Sequence, residues 1–171
     1  MDAEGELLHR GYKISDLAEK CSYLEHCYLL LYGELPNSED MELFNTLIKN
    51  EMCIHENLVS FYKSFTSSAH PMAIMVGVVG ALSAFMPTQT NMDKAQRERV
   101  VIQIVAKMPM IAAVAYRTSM GLPVVHPKRE YSFTKNFLYM MFADPMSDKF
   151  EIDFVLLDAL EKIMVLHADH E

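Results

Sequence analysis

Between Asp93 and Met120 the chain sustains a helical pattern with only one residue that opposes it. Asp93 is a natural N-cap, and Gly121 followed by Pro123 is a strong C-terminal stop. The first part is charged (Lys94, Arg97, Glu98, Arg99) and the second apolar. Pro109 removes a backbone donor midway, so a kink or a division into two helices is expected there. The other segments have the same character. Ser15 is a candidate cap for a short helix over Asp16–Lys20. Ser22 opens a helix over Tyr23–Tyr32 that Gly33 ends. Ser38-Glu39-Asp40 starts another with negative charge at its positive dipole end. Met41, Phe44, Leu47 and Ile48 give that helix an apolar stripe, and Leu58, Phe61, Tyr62 and Phe65 give one to the next. Pro71 suits a first helical position. The run after it is apolar on all sides, rich in Gly77, Gly80, Ala81 and Ala84, and reads as a central, close-packed helix that Pro87 stops. Ser132 caps Phe133–Phe142, and a last helix runs from Asp153 to Leu166. Leu7-Leu8-His9 reads as half of a β-hairpin whose partner lies upstream. The fold class is therefore all-α, with a short β-hairpin remnant at the N-terminus.

Composition narrows the function. Hydrophobic residues make up 51% of the 171 residues, which excludes a disordered chain and allows one domain's worth of core. Fifteen basic against 23 acidic residues give a net charge of −8 with no basic block, which speaks against nucleic acid. The apolar run Pro71–Met86 is shorter than the roughly 20 residues a membrane span requires, so no membrane is expected. Met1-Asp-Ala-Glu-Gly is acidic, unlike a targeting segment. Cys21, Cys27 and Cys53 lack metal or redox spacing and point to a reducing compartment. The 14 methionines read as compliant core.

The densest chemistry is at the end of the chain: His167-Ala168-Asp169-His170-Glu171. Leu156, Leu160, Ile163, His167 and His170 fall on one helical stripe. Both imidazoles are therefore expected to continue the buried face, facing a cleft and not bulk water. Such an imidazole can donate to a bound carboxylate or ketone oxygen. It can equally be a hydrogen-bonded core histidine. Metal is the third choice, but a zinc site needs three or four ligands and this chain shows no partner pair, so none is expected. His70 before Pro71 reads as a cap. His55-Glu56 is not HExxH, since Leu58 and Val59 follow. His9-Arg10-Gly11-Tyr12 places a cation before a glycine turn, and Lys128-Arg129 reads as solvated loop charge. No P-loop, GxGxxG or GxSxG is present.

Five ordered stretches resemble citrate synthase. Glu4–Pro36, EGELLHRGYKISDLAEKCSYLEHCYLLLYGELP, is similar to the family's entry segment, with its LxxRGYxIxxLA and EVxYLLLxGExP patterns. Ala69–Phe85 resembles its HPMxxxxxxxxALxxF helix, and Ile104–Pro127 its AKxPTIAAxxY stretch. YSFTKNFLYMMF resembles LSYxxNFLxMMF, and LHADHE resembles the LHADHEQN or LxSDHEGGN signature. The wording is closest to the bacterial-type branch. The resemblance implies an acyltransferase of the tricarboxylic acid cycle that condenses acetyl-CoA with oxaloacetate and hydrolyses the product to citrate and CoA. Acetyl-CoA is a co-substrate and no resident cofactor is implied. It places His170 against oxaloacetate, with His167 and Asp169 supporting it. The family's base, its enol-stabilising histidine and its substrate-clamping arginines lie beyond Glu171, so no catalytic residue falls in 1–171. The chain is expected to be part of the large helical domain and inactive alone. The resemblance further implies a homodimer or a hexamer of dimers, with helices around Gly77–Ala84 and Ile111–Tyr116 packing against their twins. The location implied is the cytoplasm in a bacterium, or the mitochondrial matrix or peroxisome in a eukaryote. The NADH-inhibited branch carries Arg-His-Thr where this chain has Asn50-Glu51-Met52, so NADH binding is not expected there. A 2-methylcitrate synthase and a non-catalytic helical dimerisation module are the alternatives.

Overall fold

The computed structural model describes residues 7–86, 91–147 and 149–169. The chain divides into two compact units, one built from Met1–Thr46 with Glu151–Glu171 and the other from Leu47–Phe150. Helix dominates both, as expected, and the described residues contain a single two-stranded sheet.

The first unit opens with β1 (Leu8–His9) and β2 (Tyr12–Lys13), paired antiparallel with His9 opposite Tyr12. The partner of Leu8–His9 thus lies downstream, not upstream as expected. Arg10 and Gly11 form the two-residue turn with φ of 52° and 89°. That left-handed pair matches the twist of a tight hairpin, and glycine takes the second place without a steric penalty. Helix α1 (Ile14–Lys20) follows directly. Its N-cap is Lys13 without a side-chain bond, so Ser15 is inside the helix and not its cap. Helix α2 (Tyr23–Tyr32) is delimited as read: Ser22 and Glu25 form a reciprocal capping box, and Gly33 closes it at φ 91°. Helix α3 (Ser38–Glu51) begins after Asn37, whose Oδ1 accepts from the Asp40 amide at 2.9 Å. Phe44 of α3 sits edge-on to Tyr28 and Tyr32 of α2.

The second unit is organised around one long helix. It holds α4 (Glu56–Phe61), α5 (Pro71–Leu82), α6 (Lys94–Ser119) and α7 (Phe133–Phe142), with short 3-10 turns after α4 and α5. Asp93 and Gln96 form a capping box on α6. Helix α6 continues through Pro109 as a single element, so the expected division in two does not occur. Its second half is buried from Ala106 to Arg117 on the sides facing α5 and α7, and this packing outweighs the missing donor. By length and composition α6 is long and apolar enough to cross a membrane, and 44% of its apolar window is buried inside the fold. Tyr62 donates to the Ile111 carbonyl of α6 at 2.8 Å. Asn136 of α7, fully buried, accepts from the Lys128 amide and donates to the Lys128 carbonyl, both at 2.8 Å, and so pins the preceding loop. Helix α5 buries only Ile74, Val78 and Leu82. Met72 and Val76 are 62% and 71% exposed, so α5 is one-sided and not central. Uniform apolarity gave its pattern no preferred side. Pro87, read as its stop, lies outside the described residues. The first unit closes with α8 (Phe154–Leu166), capped by the Asp153 carboxylate on the Val155 amide.

Candidate functional site

Helix α8 is fixed against the first unit by one apolar and one polar contact. Val165, fully buried, packs with Leu17 of α1 and Leu29 of α2. One turn earlier on the same side, Glu161 accepts from the Tyr23 amide at 2.8 Å. Tyr23 is the first residue of α2, so the carboxylate sits at the positive end of the helix dipole. Burial raises the Tyr23 phenol above its ordinary range. The buried Cys27 thiol is pushed up to about 11, chiefly by burial, and is a poor nucleophile at neutral pH.

These contacts turn α8 differently from the expectation. Leu156 and Ile163 are 55% and 52% exposed, and His167, which continues their stripe, is exposed too. The cause is in the helix itself. Phe154, Val155, Leu156, Ile163 and Leu166 are all apolar and exposed, so α8 carries more than one greasy side. Periodicity cannot choose between them, whereas Glu161 and Val165 do. His167 is the C-cap, and its Nδ1 lies 2.8 Å from the Ile163 carbonyl. A carbonyl only accepts, so Nδ1 carries the proton and Nε2 is left as the ring's open position. Asp169 is exposed two residues on. His170, assigned to oxaloacetate by resemblance, lies outside the described residues with Glu171. The described turn therefore presents one imidazole lone pair and one carboxylate to solvent. It can orient or hydrogen-bond a polar ligand. No group of three His, Cys, Asp or Glu able to hold a metal occurs among the described residues.

The sequence reading missed a buried pair in the same unit. His9 and His26 are 4% and 0% exposed, with Nδ1 of His9 2.9 Å from Nε2 of His26. Burial first, then His9, holds the His26 ring below its ordinary value of 6.5; Asp169 and the Val165 carbonyl act in the opposite sense. The two residues lie 17 apart and belong to no shared motif. Only the hairpin turn that folds His9 over α2 brings them together.

The remaining candidates are structural. His70 accepts from the Met72 amide at 3.2 Å and caps α5, as read. His55 likewise caps α4, accepting from the Asn57 amide at 3.0 Å, and its ring lies against Phe85. Lys128 rests over the Tyr139 and Tyr131 rings at 4.9 and 5.5 Å, and Lys49 donates to the Arg129 carbonyl at 2.9 Å. At Asn50–Met52, Glu51 accepts from Gln103 at 3.1 Å and from Lys107 at 3.2 Å. Lys107 also donates to the Glu51 and Cys53 carbonyls. The adjoining hollow, about 420 Å³, is lined by Glu51 and Glu98 with Arg99 as its cation.

Known proteins agree with this architecture. A family model described as citrate synthase, C-terminal domain, matches residues 1–171. The citrate synthase of Pyrobaculum aerophilum is 33% identical and superposes with a TM-score of 0.83, covering 98% of this chain and 42% of its own. A citrate synthase from Thermoplasma acidophilum, solved as a ternary complex with carboxymethyl coenzyme A and oxaloacetate, is 24% identical. It gives a TM-score of 0.87 over 98% of this chain and 42% of its own. The citrate synthase of Thermotoga maritima MSB8 is 23% identical with a TM-score of 0.78, covering 98% and 41%. The two more distant structures establish the shared fold, and the chain spans about 42% of the length of the Pyrobaculum and Thermoplasma enzymes. The family match over every residue, with the helical fold beneath it, places this chain in the citrate synthase family.

Proposed function

We propose that the protein carrying this chain is an acyltransferase that joins the acetyl methyl carbon of acetyl-CoA to the ketone carbon of oxaloacetate. Water then cleaves the thioester, giving citrate and free CoA. The observation that supports this most is the family match across residues 1–171, which includes the His167–Glu171 signature at the end of α8. In this reading His170 hydrogen-bonds oxaloacetate, Asp169 and His167 support it, and acetyl-CoA is a co-substrate. A relative whose solved complex holds oxaloacetate and a coenzyme A analogue supports the same ligand pair. The 171 residues alone are inactive in this reading, because one imidazole on a helix end supplies neither a base for the methyl proton nor a clamp for the substrate carboxylates.

The test is thiol release from acetyl-CoA with oxaloacetate, run on the 171-residue chain and on the longest natural polypeptide that carries it. The chain alone should stay at background and the longer protein should turn over. His170→Ala in the longer protein should raise the KM for oxaloacetate at least tenfold. Turnover by the chain alone would overturn the inactive reading. Faster release with propionyl-CoA would make the reaction that of a 2-methylcitrate synthase. No release with either thioester would leave a non-catalytic helical module.

A further inference from the structure

His9 and His26 form a contact that holds only one proton. Their facing nitrogens are 2.9 Å apart, and the rings stack with centroids 5.0 Å apart and planes 22° from parallel. One nitrogen donates and the other accepts. A second proton would set two N–H groups against each other at that distance, with water excluded from both rings. The pair then has to separate.

What separates is a junction of three chain segments. His9 ends β1, His26 belongs to α2, and the His26 ring also feels the Val165 carbonyl and the Asp169 carboxylate at the end of α8. Nδ1 of His26 is buried and has no hydrogen-bond partner among the described residues. The other polar groups around the junction are occupied. From the hairpin, Arg10 donates to the Leu30 carbonyl at 2.8 Å. On α2, Glu25 is held by Ser22, and the Cys27 thiol stays neutral. On α1, Asp16 pairs with Lys20. On α8, Glu161 serves the Tyr23 amide and His167 the Ile163 carbonyl. Asp169 is thus the carboxylate that acts on a charged His26.

We propose that His9 and His26 form a proton-operated latch on the last turn of α8. With one shared proton the pair holds the hairpin, α2 and the Val165–Asp169 turn in register. A second proton breaks the contact, draws His26 toward Asp169 and shifts that turn. His26 is a positioning residue. The latch rests on the paired rings and the groups around them, and only its consequence for oxaloacetate binding rests on the proposed function.

The direction with pH follows from the buried neutral state. A ring held below 6.5 in the folded chain contributes stability that is present above about pH 6.5. That contribution is lost as pH falls through the depressed folded-state value. The test is an NMR titration of the 171-residue chain from pH 8 to 5, following the histidine rings and the Ala168 and Asp169 amides. The second proton should enter the pair below pH 6.5. The two amides should move with that event. In His26→Val the two amides should lose this movement. If that variant fails to fold, the wild-type titration decides by itself. Two rings that titrate independently of each other, or amides unmoved when the pair gains its second proton, would overturn the latch. These signals require no catalysis. A working latch with no oxaloacetate turnover in the longer protein would count against the proposed function and leave the latch standing.

Discussion

Arg117 heads the fully buried side chains by volume, at 1% exposure, and its charge is met by carbonyls rather than by a carboxylate. Nε donates to the Pro123 carbonyl, and Nη1 donates to those of Met141 and Ala143, each at 3.0 Å. One guanidinium thus ties the end of α6 to its following loop and to the end of α7, with the planar spread of donors that lysine lacks. Arg117→Met should therefore leave three carbonyls short of a donor, that of Ala143 buried, and destabilise the chain by about 2–4 kcal/mol. A urea titration would read this as a lower midpoint at unchanged slope, and Arg117→Lys should recover only part of it. An unchanged midpoint in Arg117→Met would mean that water satisfies those carbonyls. Nothing local in the sequence marks Arg117 as the arginine of this helix that goes inside. The candidate site was legible to the same limited degree. His167 and Asp169 stood out as a cluster, whereas His26 became visible only when the hairpin placed His9 against it.

Helix ends were the most legible elements, and for a chemical reason. Ser22-x-x-Glu25 and Asp93-x-x-Gln96 satisfy orphan amides through side chains within four residues, so the signal is entirely local. Ser22→Ala should remove the Oγ acceptor for the Glu25 amide and one of the two Ser22 donors to the Glu25 carboxylate, leaving the backbone N–H. The expected loss is about 1 kcal/mol. Amide hydrogen exchange should show it first in the opening turn of α2, and protection unchanged there would mean that Glu161 on the Tyr23 amide holds the helix end without the box. Faces of helices were less legible than ends. Periodicity named two buried residues of α3, Phe44 and Ile48, while Leu47 of the same stripe is exposed. It misjudged α5 and α8, whose apolar residues run around most of the cylinder and leave the choice of side to distant partners. The hairpin failed for another reason. A glycine turn after Arg10 was read, but Arg10 in a left-handed conformation is uncommon for a side-chain-bearing residue, so Tyr12–Lys13 was not foreseen as the strand that pairs with Leu8–His9.

Those same two helices govern how the whole molecule behaves in solution. Phe154, Val155, Leu156, Ile163 and Leu166 of α8, and Met72 and Val76 of α5, leave apolar surface open on each of the two units. Contiguous greasy surface of this kind draws other copies or dyes, since removing it from water is favourable at about 25 cal/mol per Å². The net charge of −8 opposes self-association by repulsion. Salt screens that repulsion, with a Debye length of about 8 Å at physiological strength, and leaves the apolar attraction intact. The 171-residue chain should therefore bind an apolar dye such as ANS while folded, and its sedimentation coefficient should climb as salt is raised at fixed protein concentration. Acidification toward neutral net charge should act in the same direction. Leu156→Glu with Ile163→Lys alters only exposed positions, so folding should persist while dye binding falls and the salt-driven association weakens. A folded chain that binds no dye and stays monomeric from low to high salt would show that these faces are too divided by polar neighbours to act as one surface.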